Sequence, residues 1–492
     1  MVDLSKIINR NRYAGVLPDP DGAGEAGSEE CGGKVIFYLK VDGDVVSKIS
    51  FLAFGSPLLI ALSVLISEKF ENGNLFDAAN FYKSDLIKLL GEGDRGDICF
   101  DFSWLAFRRS VDSVFSNYHG TVKSNSFPDL TLCSMSGGVD SSVALFLLKE
   151  AGHNLIGVTL DLFNHVNEST EQTKYSKSCC SPQDIADAKS VCEKLRIPHI
   201  TLDVKNEFKK MVIDRFVNAY LRGVTPNPCV DCNRYIRFDF LLRKMHQFGA
   251  HKLATGHYAR IQYDPTRAKF TIRKGLDLKK DQSYMFWPAS QDVLAKVITP
   301  LGERTKSEVR HVAAKNNLPV FEKPESQDIC FIRNGDYTDF IDQTMGYGKE
   351  RGPIYDEHGN QIGFHRGYIY YTVGQRKGLD IKADGPYFVV RIDPAKNAIF
   401  VTNDPEVGVK EITLTDVNYI FYDLPPEEID ASVMVRYRSF EYAARIANYE
   451  GNRAKVFFKK PVRFPSPGQS AVFYDEDLLI GGGVIEDISG IG

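Results

Sequence analysis

The segment from Ser134 to Ser142 constrains the fold of this chain more than any other. It reads Ser-Met-Ser-Gly-Gly-Val-Asp-Ser-Ser, follows the apolar run Leu130–Cys133, and leads into an apolar stretch that continues to Leu148. This order predicts a strand, a tight turn and a helix. Gly137 and Gly138 allow a sharp turn with exposed backbone N–H groups, and the free amides at the start of a helix attract an anion. The segment therefore predicts a cradle for pyrophosphate.

The residues around the glycine pair indicate which kind of phosphate loop this is. The Gly-Lys-Ser/Thr ending of a Walker loop is absent. Instead, Ser136, Ser141 and Ser142 add hydroxyl groups, and Asp140 lies beside them. The segment resembles the PP-loop of ATP pyrophosphatases, which activate a carbonyl oxygen as an adenylate and release pyrophosphate. An ordinary strand–turn–helix corner is the alternative, and the surrounding serines disfavour it.

Length, charge and cysteine content indicate an intracellular multidomain protein. A chain of 492 residues is long enough for several domains. A formal charge of −4 gives no sign of a bulk polyanion binder, so any contact with nucleic acid must use local basic patches. The start of the chain lacks the apolar core of a signal peptide, and the apolar run Pro57–Ile66 is too short to span a bilayer. Nine cysteines in a chain of this length do not form a disulfide framework, which favours a reducing cytoplasm.

Changes in pattern divide the chain into several regions. These are an α+β domain at residues 1–120, a polar linker at 121–128, an α/β domain at 129–345, a β-rich domain at 346–410, and a β-barrel at 411–492. In the first region, Lys34–Lys40 and Val45–Phe54 alternate like strands before the pattern turns helical.

In the α/β domain, strands and helices alternate, which implies a parallel sheet with helices on both faces. The predicted strands are Leu130–Ser134, Leu155–Asp161, His199–Val204 and Lys252–His257. The predicted helices are 139–151, 183–196, 207–221 and 235–248. Ligands of such sheets bind at the carboxyl ends of the strands.

Three cysteines form a second feature of the sequence that bears on function. Cys229 and Cys232 form a Cys-x-x-Cys pair after the stiff Thr225–Pro228 segment, and Cys330 follows in Asp-Ile-Cys-Phe. In a cytosolic protein such a pair is often a metal or redox site. The alternative is three unrelated cysteines, some of them buried as small hydrophobic residues.

From Asp129 to the C-terminus, the chain resembles the bacterial tRNA-specific 2-thiouridylase family. The matching segments occur in family order. They are 135–142, Cys-Cys-Ser at 179–181 with Asp184 and Asp187, Thr-Pro-Asn-Pro at 225–228 with Cys232-Asn233, 254–260, 280–284, 328–332, 371–379, Arg-Tyr-Arg at 436–438, and 466–474.

The resemblance implies an ATP site on the loop, with Mg²⁺ as the companion of the phosphates. The residues expected to bind ATP are Ser134, Met135, Ser136, Gly137, Gly138, Val139, Asp140 and Ser141, with Leu160 and Gly256 near the adenine. Leu160 stands where the family usually has methionine, which exchanges one apolar contact for another. No metal-ligand motif for Mg²⁺ can be read from the sequence.

The resemblance also implies a reaction. The wobble uridine of a tRNA is adenylated at O2, and a sulfur nucleophile then displaces AMP. Cys330 is expected to carry a persulfide, and Cys232 is the second thiol, which helps to deliver or release sulfur. An ordinary cysteine, with a pKa near ~8.5, is mostly protonated at neutral pH, so such a site needs nearby cations, a helix N-terminus or a metal.

The family's tRNA contacts carry over position by position. A base that is modified must leave its stack and enter a pocket. The residues expected at this pocket are Asn227, Pro228, Cys229, His257, Lys280, Asp281 and Gln282, and those expected to reach tRNA from the C-terminal barrel are Arg436, Tyr437 and Gln469. The implied partners are tRNAs for lysine, glutamate and glutamine, and a sulfur donor, either a cysteine desulfurase or a sulfur relay protein; no membrane partner is expected.

Cys229 departs from the family, in which many members have aspartate at this position. The role of that aspartate therefore cannot be carried over. Three thiols at 229, 232 and 330 are candidate ligands for a [4Fe–4S] cluster with one open iron that binds hydrosulfide. The alternative keeps Cys232 and Cys330 as a persulfide pair, with Cys229 as a bystander.

Two other function classes remain open. One is a different PP-loop enzyme, such as a tRNA lysidine synthetase or an amidotransferase-fed ligase, whose chemistry does not need paired thiols. The other is a non-enzymatic iron–sulfur scaffold or assembly module, which would not consume ATP.

Residues 1–120 resemble the start of NifU/IscU-type scaffolds, but the cluster site is degenerate. In the family, cysteines stand at three points. Here Cys31 remains, Ser56 and Phe102 replace the other two cysteines, Gly33 replaces the usual aspartate and Asp101 the usual histidine. We therefore expect a folded domain that no longer assembles a cluster alone. It is either a docking surface, for example for a desulfurase that passes sulfur to Cys330, or a passive extension.

Overall fold

The computed structural model describes residues 3–28, 33–91, 97–117, 129–163, 181–325, 329–332, 337–344, 350–381, 386–404, 406–449 and 451–491. Some features named above lie outside these ranges: the linker 121–128, Cys31 with Gly32, Cys179 with Cys180, and Asp328.

The N-terminal domain is a three-stranded antiparallel sheet covered by helices. Its elements are α1 (Leu4–Ile8), β1 (Gly22–Ser28), β2 (Gly33–Asp42), β3 (Val45–Gly55), α2 (Pro57–Phe70), α3 (Leu75–Ala79), α4 (Lys83–Leu90) and α5 (Ile98–Asn117). Alternate residues of β2 are fully buried, as expected for a sheet with one covered face. Gly24 on β1 lets α5 approach closely, because a Cβ atom there would collide with the backbone of Ser110.

The second domain is built on a five-stranded parallel sheet. Its elements are β4 (Thr131–Ser134), α6 (Val139–Glu150), β5 (Leu155–Asp161), α7 (Pro182–Leu195), β6 (His199–Asp203), α8 (Lys205–Phe208), α9 (Asp214–Leu221), α10 (Pro228–Asp231), α11 (Leu241–Gln247), β7 (Lys252–Ala254), β8 (Ala259–Asp264), β9 (Lys269–Lys274), α12 (Gln291–Leu294), β10 (Val297–Ile298), α13 (Lys306–Lys315) and α14 (Tyr337–Thr344). The strand order β10-β7-β4-β5-β6 places β4, which leads into the Ser134–Ser142 loop, at the centre.

The observed sheet differs from the sequence prediction in two respects. The fifth strand, β10, was not predicted, because two residues are too short to show a periodic pattern. The predicted strand Lys252–His257 ends at Ala254, so Gly256 and His257 lie beyond the strand, at the edge of the sheet where ligands bind. Two predicted helices also contain π-helical stretches, at Lys209–Ile213 and Cys232–Phe240.

The C-terminal third is β structure, as predicted. A four-stranded sheet has the order β12-β11-β14-β13 and comprises β11 (Gly352–Tyr355), β12 (Gln361–His365), β13 (Phe388–Asp393) and β14 (Ala398–Thr402). A six-stranded barrel follows, made of β15 (Val409–Tyr419), β16 (Glu428–Met434), β17 (Glu441–Tyr449), β18 (Arg453–Val462), β19 (Ser470–Asp475) and β20 (Leu478–Ile491). Pairing of β15 with β20 closes the barrel, and β9 pairs with β20, so the hairpin β8–β9 joins the barrel to the second domain.

Helix α5 packs along the outer edge of the parallel sheet. The side chains of Arg108, Asp112 and Ser116 lie one turn apart and contact successive outward-facing backbone groups of β6. Arg108 donates to the His199 carbonyl, Asp112 accepts from the Thr201 N–H at 3.0 Å, and Ser116 accepts from the Asp203 N–H at 3.2 Å. An exposed strand edge is a template for unwanted pairing, and here the side chains of a helix satisfy it.

None of the helices within the described ranges is long and apolar enough to cross a membrane.

Candidate active site

The Ser134–Ser142 loop has the geometry of an anion cradle. Gly137 has φ +69°, a conformation that favours glycine, and a Cβ atom there would collide with the Asp184 backbone. Ser141 Oγ accepts from Ser136 N–H at 3.2 Å, and α6 begins at Val139 without a side-chain cap. Gly138, the residue before α6, has no side chain that could cap the first amide groups of this helix. Ser134 and Met135 are buried at the end of β4.

Cationic side chains from distant parts of the sequence surround this loop. Lys306 Nζ lies 2.6 Å from Asp140 Oδ1, and Lys323 Nζ lies 2.9 Å from the Gly137 carbonyl. Both lysines line a cavity of about 210 Å³ over the loop. The other lining residues include Ser136, Gly138, Val139, Asp140, Asp184, Arg237, Tyr258, Lys280, Gln282, Glu325 and Arg438. Backbone amides and lysines together suit a polyphosphate.

Gly256 lies directly against the loop. A Cβ atom at this position would come within 2.8 Å of the Ser141 backbone nitrogen, so the β7 segment can approach α6 only with glycine here. Leu160, the other residue predicted near the adenine, is buried in β5. Tyr258 donates to Asp140 at 2.8 Å, and burial together with this carboxylate raises the pKa of its hydroxyl.

A second cavity, of about 310 Å³, adjoins the first and brings the three predicted thiols together. Cys229, Cys232 and Cys330 all line it. They are joined by Pro228, His257, Lys280, Gln282 and Tyr437 from the predicted site, and by Arg237, Glu325 and Arg438. The two cavities share Arg237, Lys280, Gln282, Glu325 and Arg438 as common walls. A molecule on the phosphate loop and a base beside the thiols would therefore meet at these side chains.

The Cys-x-x-Cys segment is held in place by its own helix and by the barrel. Asn227 caps α10 by accepting from Val230 N–H at 3.3 Å, and Asn233 donates to the Cys229 carbonyl at 2.9 Å. The π-helical stretch that begins at Cys232 follows directly, and such wide turns are frequent at functional sites. Gln469 of the barrel donates to the Thr225 and Pro226 carbonyls at 3.2 and 2.9 Å.

The His257 side chain lines the thiol cavity and is uncharged there. Its Nδ1 lies 2.8 Å from Thr255 Oγ1, and its ring packs edge-on against Phe286. Burial, with a smaller contribution from Arg237, lowers the pKa of His257 to about 3. The imidazole is therefore uncharged near neutral pH and can bind a base by hydrogen bonding and packing, without acting as a cation.

Four of the predicted tRNA-contacting residues are not among the described residues that line the two cavities. Asn227 and Gln469 act on the backbone of the proline segment, as given above. Asp281 organises a turn: its carboxylate accepts from Gly275 N–H at 2.9 Å and from Ser283 N–H at 3.0 Å. Arg436 is exposed to solvent. Contact of these four residues with tRNA therefore stays a prediction.

Sequence reasoning missed several cavity residues. Arg438, two residues after the predicted Arg436, lines both cavities and adopts φ +62°. Lys306, Lys323 and Arg237 come from three different elements, and no local motif marks them as phosphate ligands. The available signal was weak: Lys323 and Glu325 stand just upstream of the Cys330 segment, and Arg438 completes the Arg-Tyr-Arg motif.

In the N-terminal domain, Ser56, which replaces one scaffold cysteine, lies beside a further thiol, Cys99, that no sequence motif marked as a site residue. Cys99 Sγ lies 3.1 Å from Ser56 Oγ, at the start of α5. Burial raises the pKa of Cys99, so this thiol is largely protonated at neutral pH. Asp101, which replaces the usual histidine, pairs with Lys83 at 2.6 Å, and Phe102 packs against the apolar core.

The remaining described cysteines serve packing. Cys133 and Cys192 are buried, and burial raises the pKa of both thiols. Within the part of the chain that the structure describes, no group of three histidine, cysteine or acidic side chains is arranged to hold a single metal ion. The three thiols of the second cavity thus do not form a ready-made mononuclear site.

Comparison with known proteins agrees with this architecture. Residues 130–334 match the family described as "tRNA methyl transferase HUP domain", residues 338–403 "tRNA methyl transferase PRC-barrel domain", and residues 409–485 "Aminomethyltransferase beta-barrel domain". Residues 6–123 match "NifU-like N terminal domain".

Two similar relatives match nearly three quarters of the chain and almost their own whole length. The chain is 46% identical over 352 residues to tRNA-specific 2-thiouridylase MnmA 1 of Caldanaerobacter subterraneus subsp. tengcongensis, a match that spans 72% of this chain and 96% of the relative. It is 43% identical over 360 residues to tRNA-specific 2-thiouridylase MnmA of Moorella thermoacetica, spanning 73% and 100%. The chain therefore belongs to the tRNA-specific 2-thiouridylase (MnmA) family and carries a NifU-like domain at its N-terminus.

Proposed function

We propose that this protein is a tRNA 2-thiouridylase, which uses ATP to activate O2 of the wobble uridine (position 34) and then replaces that oxygen with sulfur. The observation that carries the proposal is the pair of adjoining cavities. One holds the phosphate loop and the other holds three thiols, with Lys280 and Gln282 between them. The family membership of the chain supports the same reaction and the same substrate class.

The first step joins the uridine to AMP. The uridine O2 attacks the α-phosphorus of ATP, an O2–P bond forms, and the bond to the leaving pyrophosphate breaks. The Gly137–Gly138 turn, Lys306 and Lys323 would hold the pyrophosphate as negative charge develops on it; their position around one cavity supports this role. Mg²⁺ would share this task through the phosphates themselves, since it keeps most of its ligands as water and phosphate oxygens.

The second step uses the thiols. The terminal sulfur of a persulfide on Cys330 attacks C2 of the activated base, and AMP leaves with the former O2. Cys232 then attacks Cys330 Sγ, which releases the 2-thiouridine and leaves a Cys232–Cys330 disulfide that an external thiol reduces. Arg237, Lys280 and Arg438 line the same cavity, and such cations favour the thiolate form that attacks. A sulfur donor of the cysteine desulfurase or sulfur relay class regenerates the persulfide.

A [4Fe–4S] cluster is the second candidate for the sulfur carrier. The donor set fits, because Cys229, Cys232 and Cys330 face one cavity whose basic residues offset the negative charge of thiolates. A cubane separates its ligands further than a single ion does, so the lack of a mononuclear site among the described residues does not oppose it. When bound, the cluster would supply an open iron position for hydrosulfide. Lys280 and His257 would then position the base beside it.

Substitution of the two reactive thiols should stop sulfur transfer but leave the activation of the uridine by ATP intact. With unmodified tRNA, ATP and a cysteine desulfurase with cysteine as the sulfur donor, we expect Cys330→Ser and Cys232→Ser each to lower 2-thiouridine formation at least about 100-fold, while pyrophosphate release continues in both. Cys133→Ser, at a buried thiol of β4, is the matched control and should retain thiolation. Equal thiolation in the wild type and both variants would contradict a sulfur-transfer function. If no form of the protein releases pyrophosphate, the wild type included, the result would favour a non-enzymatic scaffold.

A further inference from the structure

Arg438 is a cation of the C-terminal barrel that lies where the two cavities meet. It stands in the turn after β16 and lines both the phosphate-loop cavity and the thiol cavity. Three other charged residues line both cavities: Arg237, Lys280 and Glu325. Lys280 is paired with Glu325, whereas no carboxylate within the described ranges forms an ion pair with Arg438. The guanidinium of Arg438 is therefore available to an anion at the junction of the cavities.

The turn that carries Arg438 is fixed to the α/β domain through the neighbouring Tyr437. The Tyr437 hydroxyl donates to the Asp281 carbonyl at 3.1 Å, and the centres of the Tyr437 and Tyr284 rings lie 5.6 Å apart. The guanidinium carbon of Arg438 lies 5.1 Å from the centre of the Tyr437 ring. Arg438 has φ +62°, a left-handed conformation that is uncommon for residues other than glycine and is often found at active sites. The turn thus holds Arg438 in a defined position at the junction.

In the proposed function, the reacting phosphorus lies at this same junction. The pyrophosphate part of ATP occupies the phosphate-loop cavity, and the uridine occupies the thiol cavity. The α-phosphorus lies between them, because it is bonded to pyrophosphate before the first step and to uridine O2 after it. During this transfer the oxygens of the α-phosphate carry negative charge. A guanidinium suits such oxygens, because it presents paired N–H donors in a fixed, planar arrangement.

We propose that Arg438 is a catalytic residue of the adenylation step, whose guanidinium donates paired N–H groups to the α-phosphate oxygens as uridine O2 attacks the α-phosphorus and pyrophosphate leaves. This role rests on the proposed function and deepens it, because the C-terminal barrel then supplies part of the catalytic site. An interaction that is stronger in the transition state than with bound ATP accelerates the reaction without tightening substrate binding. Arg438 should therefore affect the rate of adenylation more than the affinity for ATP or tRNA.

The first test measures pyrophosphate release in a single turnover, with unmodified tRNA and ATP and without a sulfur donor, so that only the first step proceeds. Arg438→Gln should lower the maximum rate about 100- to 1,000-fold. Arg438→Lys keeps the charge but not the paired N–H groups, so its maximum rate should be about 10-fold below that of the wild type. Arg445→Gln, at an exposed arginine of β17 in the same barrel, is the matched control and should keep the wild-type rate.

The second test measures binding, since a residue that only holds a substrate would also slow the reaction below saturation. The Kd values for tRNA and for a non-hydrolysable ATP analogue should stay within about 3-fold of the wild type in Arg438→Gln.

The third test is the thio effect, the ratio of the rate with ATP to the rate with its α-phosphorothioate. Sulfur in place of an α-phosphate oxygen should slow the wild type. It should slow Arg438→Gln several-fold less, because the contact to that oxygen is already lost.

Three results would overturn this role of Arg438: an unchanged maximum rate in Arg438→Gln, a loss of rate that saturating tRNA and ATP restore, or an equal thio effect in the variant and the wild type. The full wild-type rate in Arg438→Lys would contradict the paired contact. Thermal unfolding checks the fold of each variant, and Arg438→Lys carries the test if Arg438→Gln is unfolded.

The wild type separates this proposal from the function on which it rests. If it releases pyrophosphate only when tRNA is present, while the Arg438 variants give one of the contrary results, the proposed function stands and only the role of Arg438 fails. A wild type without tRNA-dependent release of pyrophosphate would refute both.

Discussion

Residue 229 distinguishes the two candidate sulfur carriers. Its thiol lines the same cavity as Cys232 and Cys330. In the persulfide mechanism only the latter two take part, so Cys229→Ser should keep at least about half of the thiolation activity. In the cluster mechanism the substitution removes one of three thiolate ligands, and serine is not a normal ligand of such iron.

The measurement combines activity with metal content after anaerobic purification. The cluster mechanism predicts about four iron and four sulfide per wild-type chain, and a large loss of both iron and thiolation in Cys229→Ser. Cys192→Ser, at a buried thiol of α7, is the control and should change neither. Full thiolation by iron-free protein would exclude the cluster mechanism.

His257 and His199 predict a pH dependence of stability. Both are buried, and burial lowers the pKa of both, to about 3 for His257. In the unfolded chain each histidine binds a proton near its ordinary pKa of about 6.5, so the unfolded state takes up more protons below that pH. The stability is complete above pH ~6.5 and falls as the pH decreases toward the folded pKa. From pH 6.5 to 5, His257 alone should cost on the order of 2 kcal/mol.

Thermal unfolding across this pH range, for the wild type and His257→Gln, checks the prediction. The variant should be less stable at pH 7.5, because the fit to Thr255 changes, but it should lose less stability on acidification. An identical slope for both proteins would show that His257 is not the group responsible. The exposed His358 offers a control, since His358→Gln should keep the wild-type slope.

The sequence predicted the residues with reactive groups better than it predicted which distant residues lie beside them in the fold. The PP-loop and the Cys229–Cys232 pair are local motifs that residue type and spacing can predict, whereas the role expected of Cys330 rested on the resemblance to the 2-thiouridylase family. Lys306 and Lys323 reach the loop only because α13 and the following segment fold back over it. Arg438 reaches both cavities through a left-handed turn after β16. Such approaches depend on tertiary packing, which no local pattern records.

Four of the five strands of the parallel sheet were predicted, because each of them shows its own pattern along the sequence, whereas the two-residue β10 does not. The contact between α5 and β6 was not predicted. Arg108, Asp112 and Ser116 look like ordinary polar residues of a surface helix, and their spacing has meaning only once β6 lies beside them. Arg108 is 2% exposed, so this contact is an interior one.

This contact predicts that α5 protects the edge of the sheet. Asp112→Ala leaves the Thr201 N–H without its acceptor and Arg108 without its carboxylate at 3.6 Å, which should cost about 1–3 kcal/mol. Hydrogen exchange of peptides that contain residues 199–203 should speed up clearly in this variant. Ser113→Ala, one residue along the same helix, should leave both stability and exchange near wild-type values. Equal exchange in Asp112→Ala and the wild type would mean that the edge is protected in another way.

For the whole molecule, the direction of α5 determines where the degenerate scaffold site lies. Helix α5 runs parallel to β6, since Arg108 contacts its first residue and Ser116 its last. The Ser56–Cys99 pair lies at the other end of α5, about 25 Å along the helix from Ser116 at about 1.5 Å per residue. The phosphate loop follows the carboxyl end of β4, so the scaffold site is at the opposite end of the sheet.

This arrangement bears on the sulfur supply. A donor that docks at the Ser56–Cys99 end would bind at the opposite end of the sheet from the phosphate loop. The docking hypothesis for residues 1–120 therefore requires a donor that is large enough, or has a mobile arm long enough, to reach the thiol cavity. The domain's contact with β6 gives it a structural role whether or not it binds a donor.

In the proposed function, one site couples ATP cleavage to sulfur transfer onto uridine. The most direct test is nucleoside mass spectrometry of unmodified tRNA for glutamate, lysine or glutamine after incubation with the purified full-length protein, ATP and a cysteine desulfurase with cysteine as the persulfide donor. AMP and pyrophosphate are counted in the same samples. We expect 2-thiouridine at the wobble position only when ATP is present, with one AMP and one pyrophosphate per thiolated base. Thiolation without ATP, or ATP cleavage with tRNA that leaves the uridine unmodified, would contradict the proposed function.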